Sequence, residues 1–77
     1  MATVYEVTRE LAIANDYLYV GPAQNAENIF VAILVYDGDM SVRFISMKSE
    51  QDVFNVAESW IRAHLDSKAT IRVRRKA

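Results

Sequence analysis

His64 is the only histidine in the chain, and cysteine is absent. A multi-histidine metal site and thiol catalysis are thereby excluded, and a nucleophile–base–orienter triad would have to be assembled around one imidazole. His64 falls within the apolar arc of a helical segment, close to its C-terminal end. A packed imidazole, hydrogen-bonded to a carbonyl or carboxylate, is expected there in preference to a general base or a pH sensor. Asp37 and Asp39 flank Gly38, but the acid spacing and closing glutamate of a calcium loop are missing, so turn geometry accounts for them. Gly21 and Gly38 stand alone, so there is no glycine-rich loop to cradle a phosphate. These residues point away from catalysis: no enzyme, no metal and no cofactor is expected.

What remains is binding chemistry. Residues 1–66 carry ten acids against Arg9, Arg43, Lys48 and Arg62, a balance of −6, whereas residues 67–77 carry Lys68, Arg72, Arg74, Arg75 and Lys76, a balance of +5. A basic end of this kind blunts an edge strand against unwanted pairing, or it meets nucleic acid or an acidic protein. Trp60 and the four tyrosines are able to stack on bases while Arg43, Arg72 and Arg74 meet phosphates, a combination suited to single-stranded nucleic acid. Against this, Trp60 falls on the core side of its helix, and the acidic excess elsewhere repels a polyanion. Tyr17 and Tyr19 form a possible aromatic patch, although core packing is expected to claim at least one of them.

The elements that would position these groups begin with a hairpin over Ile29–Met47, built around Asp37-Gly38. Asp-Gly tolerates the positive φ angles of a two-residue turn, and strong strand formers flank it. Such a turn pairs Tyr36 with Asp39. Ile29, Val31, Ile33 and Val35 then share a face with Met40, Val42 and Phe44. Phe30, Ala32, Leu34 and Tyr36 share the other with Ser41, Arg43, Ile45 and Met47. Ile29–Tyr36 has no charged or amide residue on either side. A strand of that kind implies cover on both faces, and a chain this small can hardly provide two covers, so a partner molecule is expected to supply the second.

A helix is expected over Glu50–Asp66, capped by Ser49, with Val53, Ala57, Trp60, Ile61, His64 and Leu65 on its apolar side. Ala69–Arg75 alternates as a strand, with Ile71 and Val73 inward and Thr70, Arg72 and Arg74 outward. The first third is ambiguous. Thr3–Thr8 favours a strand, and Arg9–Ala14 favours a helix in which Leu11, Ala14 and Leu18 recur at helical spacing; one helix from Val4 or strand through Val20 are the competitors. Gly21-Pro22 ends that element, and Ala23–Asn28 is a polar loop.

These elements predict a single α+β domain over residues 1–77, a two-layer sandwich with an antiparallel sheet. The expected order is β-α-β-β-α-β, ferredoxin-like, with α-β-β-α-β as the alternative. The face carrying Phe30, Leu34, Tyr36, Arg43, Ile45 and Met47, with Arg72 and Arg74 on the last strand, would be open and would bind a partner. The basic-Gly-aromatic signature of an RNA-recognition motif is absent from 40–47. The expected function is therefore a non-catalytic protein-binding module, either homodimeric or a small stoichiometric inhibitor or adaptor of the kind phages and mobile elements encode. Single-stranded nucleic-acid binding through the same face and the basic C-terminus is the alternative. No apolar run reaches the roughly 18 residues of a membrane span and no signal-peptide order begins the chain, so a soluble cytoplasmic protein is expected.

Overall fold

The computed structural model describes residues 2–10 and 15–74. Five strands and one helix follow in the order β1 (Thr3–Thr8), β2 (Asp16–Pro22), β3 (Phe30–Tyr36), β4 (Met40–Ser46), α1 (Glu50–His64) and β5 (Thr70–Val73). All pairings are antiparallel, and the strands lie in the sheet as β4-β3-β2-β1-β5. The first four form a meander; α1 then crosses one face and returns the chain to the far edge beside β1. The α+β class with an antiparallel sheet and a helical layer is as expected. The element order is not the ferredoxin-like one, nor its alternative, because Asp16–Pro22 is a strand where a helix was anticipated. The Leu11–Ala14 part of that expected helix lies outside the described residues. Tyr17-Leu18-Tyr19-Val20 is an aromatic and β-branched run, and pairing on both sides suits it better than a helix.

The core forms where α1 lies on the sheet. Val7, Leu18, Val20, Ala32 and Leu34 point up from β1, β2 and β3, and Val53, Ala57 and Ile61 point down from α1 at helical spacing. Tyr5 packs on Phe54 with ring centroids 4.7 Å apart, and Trp60 meets Tyr36 at 5.8 Å and Phe44 at 5.9 Å. Ser49 caps the helix as expected: its hydroxyl accepts the Asp52 backbone N–H at 3.0 Å, and the Asp52 carboxylate accepts the Ser46 hydroxyl at 2.6 Å.

The hairpin forms, but with a different register. Tyr36 pairs with Met40, not Asp39, so three residues make the turn, with Asp37 and Gly38 both at positive φ. One extra turn residue reverses the parity of one strand relative to the other. Phe30, Ala32, Leu34 and Tyr36 therefore share the helix-covered face with Met40, Val42 and Phe44. Val31, Ile33 and Val35 share the opposite face with Ser41, Arg43 and Ile45.

Two neighbouring ion and hydrogen-bond clusters pin one end of this structure. Arg9 Nε lies 2.8 Å from the buried Asp16 carboxylate, and the same guanidinium pairs with Asp37 in the β3–β4 turn. Hydrogen bonding to Asp37 is the main influence raising the Arg9 pKa. Next to it, Asp66 accepts the backbone N–H groups of Glu10 at 2.7 Å and Lys68 at 2.8 Å.

Candidate functional site

Four of the acidic side chains are engaged in structure. Asp16 and Asp37 share Arg9, Asp52 belongs to the helix cap, and Asp66 holds two backbone amides. Among the described residues, no group of three or more His, Asp or Glu side chains is placed to hold a metal ion. His64 does not enter the core as expected. It is exposed at the end of α1 and stacks on Trp60, ring centroids 4.9 Å apart. Trp60 is half-buried, with Tyr36 and Phe44 beneath it.

The candidate site is the sheet face turned away from α1. Strand register places its side chains in rows. One row runs Arg43, Ile33, Tyr19 and Val4 from β4 to β1, ending beside Arg74, whose backbone N–H donates to the Val4 carbonyl at 2.8 Å. The next runs Ser41, Val35, Tyr17, Glu6 and Arg72. Aliphatic and aromatic groups thus occupy the middle, and arginines stand at both edges. Arg74 lies over the Tyr17 ring at 5.2 Å from its centroid, a cation–π contact.

At one corner, an open concavity of about 640 Å³ is lined by Tyr19, Gly21, Val31, Ile33, Arg43 and Ile45 together with the 22–26 loop. A side chain at Gly21 would bring its Cβ to 3.0 Å from the Ala2 Cα, so glycine is what lets Ala2, just before β1, lie close. No helix of the described residues covers this face, since α1 packs on the other side. Ile45 is 62% exposed, Met47 76% and Tyr19 40%.

The structure divides the residues anticipated for partner contact. Arg43, Ile45, Arg72 and Arg74 lie on the open face, with Met47 just past the end of β4. Phe30, Leu34 and Tyr36 are corrected to the helix-covered face, where Leu34 is fully buried and the other two pack against the core. Their places are taken by Val31, Ile33 and Val35, which the expected register had turned inward, and by Tyr17 and Tyr19 on the central strand. Arg75 and Lys76 lie outside the described residues.

Comparison with protein-family models, with curated proteins and with solved structures finds no match to this chain. No helix of the described residues is long and apolar enough to cross a membrane.

Proposed function

We propose that the protein is a non-catalytic protein-binding module that receives its partner on the open sheet face. One observation carries this reading: Val31, Ile33, Val35 and Ile45 form a continuous aliphatic strip with Tyr17 and Tyr19, and the only helix of the described residues lies on the other side of the sheet. A contiguous exposed apolar patch rimmed by polar groups is the usual mark of a protein contact. Tyrosine and arginine, enriched where binding energy concentrates, are both present. A small stoichiometric inhibitor or adaptor needs no more machinery than this.

A photo-reactive benzoylphenylalanine installed at Ile45, and separately at exposed Ser59 on α1, tests the reading in the native host. Covalent protein adducts from position 45 and none from position 59 are expected. Equal labelling from both positions, or none from position 45, would refute it.

Single-stranded nucleic acid is the second reading, favoured by the placement of Tyr17, Tyr19, Arg43, Arg72 and Arg74 on one face. It ranks lower because the middle of the face is largely aliphatic, and because Arg74 already covers the Tyr17 ring that a base would need.

A further inference from the structure

Resting on the protein-binding reading, we infer that the open face selects a different protein over a second copy of this chain. The partner's contact surface is apolar in the middle, with carboxylates at two edges. The inference comes from where the charges stand. Arg43 lies on the outer strand β4, and Arg72 and Arg74 lie on and just beyond the opposite outer strand β5. Four strand spacings separate the edges, roughly 19 Å. Between them the face holds one carboxylate, Glu6, opposite Arg72 in the register. Among the described residues, the strands of this face therefore present three positive groups and one negative group around an apolar centre.

Charge arithmetic argues against self-association. Two copies meeting face to face bring six arginines and only two glutamates into one interface, whichever way the two-fold axis runs. In the aligned packing usual for sandwiched sheets, an axis along the strands sets β4 over β5, and an axis across them sets each strand over its own copy. Arginine meets arginine in both. Like charges brought together across an interface suppress the wrong partner, while opposite charges steer and orient the right one. Of the other acids, Glu50, Asp52, Glu58 and Asp66 belong to α1 or its C-terminal end, away from the open face, and Asp16 and Asp37 are already paired with Arg9. A nucleic acid would satisfy the arginines but leave Val31, Ile33, Val35 and Ile45 without apolar contact. A protein surface with carboxylates flanking an apolar strip satisfies both.

The simplest surface of that chemistry is this protein with its rim reversed. The variant R43E/R72E/R74E keeps the apolar centre and puts carboxylates at both edges. Wild type and variant are measured alone and mixed, by sedimentation velocity at tens of micromolar, after circular dichroism has established that the variant folds. Each alone should sediment as a monomer at physiological salt. The equimolar mixture should form a one-to-one complex whose affinity falls roughly tenfold from low to high salt, as expected for ion pairs at an exposed rim. Adding Ile33→Asp to both should abolish it. If the triple variant loses its structure, R43E/R74E replaces it, which leaves the Glu6 neighbour Arg72 in place.

Three results would overturn the inference. Salt-insensitive dimerisation of the wild type alone makes the second copy the occupant. A mixture that stays monomeric refutes the charge rule while leaving the photo-crosslinking result to judge the protein-binding reading. Submicromolar binding of a labelled oligothymidine to the wild type at physiological salt, lost in the variant, makes nucleic acid the ligand.

Discussion

Leu34 and Ile33 are neighbours on β3 and both aliphatic, yet they belong to different surfaces. Leu34 meets Val53, Ala57 and Ile61 in the core cluster and is fully buried, whereas Ile33 lies half-covered between Tyr19 and Arg43 on the face without a helix. The same contrast extends across the sheet. On one side the chain provides its own cover; on the other it provides a strip of similar composition and rims it with charge. Apolar residues under α1 stabilise the fold, and apolar residues on the open side are available for contact with another molecule. Substitutions that separate these two roles are the most direct way to break the comparison.

The largest effect is expected on the covered side. Leu34→Ala should cost about 3–5 kcal/mol, because a fully buried leucine loses both its transfer free energy and its packing. Ile45→Ala, at a position 62% exposed, should change stability by no more than about 0.5 kcal/mol. Chemical denaturation of both variants measures the difference. Equal costs would mean that the open face contributes to folding as the covered face does, and the division between them would fail.

Next in size is the ion pair that fastens the meander. Asp16→Ala should cost about 3 kcal/mol, since it deprives the largely buried Arg9 guanidinium of its buried carboxylate partner. Asp37 is the more exposed of the two partners and retains part of the interaction, so the double variant Asp16→Ala/Arg9→Met should recover stability relative to Asp16→Ala alone. Thermal unfolding of the pair of variants reads this directly. A smaller effect, about 1 kcal/mol, is expected for Ser49→Ala, which removes the side chain that accepts the Asp52 amide at the start of α1.

Much of the architecture is legible in the residues themselves. Ser49 followed by acidic residues and an apolar arc at 3.6-residue spacing marks α1, and Asp37-Gly38 between two strand-forming runs marks the hairpin. The face of β3 is not legible by the same means. Every residue from Phe30 to Tyr36 is apolar or aromatic, so alternation cannot say which side is inward, and the decision passes to the length of the turn. A two-residue and a three-residue turn both accommodate Asp37-Gly38-Asp39, and they predict opposite faces. β4 carries the missing information. Met40, Val42 and Phe44 alternate with Ser41 and Arg43, which identifies its inward side without reference to the turn. His64 misleads for another reason. Helical phase places it with the core residues, but phase says nothing about where the covering sheet ends, and at the last residue of α1 the imidazole is exposed against the Trp60 ring.

The smallest expected effect concerns the pin at the end of α1 and sharpens the comparison by its pH dependence. Asp66 accepts backbone N–H groups from Glu10 and Lys68, and these two hydrogen bonds are the main cause of a pKa lowered from the ordinary 3.8. A carboxylate whose folded pKa lies below its unfolded value adds stability that is fully present above the unfolded value and is lost as pH falls through the folded one. Asp66→Asn keeps the shape of the acceptor but removes its charge. The variant's melting temperature should therefore lie below the wild type's at neutral pH, and the two should converge once the pH drops beneath the lowered Asp66 value. Because Asp66 joins β1 to the helix layer, only the covered side should loosen: amide exchange of Glu10 and Lys68 should quicken in the variant while the amides of Ile33 and Arg43 keep their rates. Faster exchange at Ile33 and Arg43 as well would show that the two sides of the sheet do not respond independently.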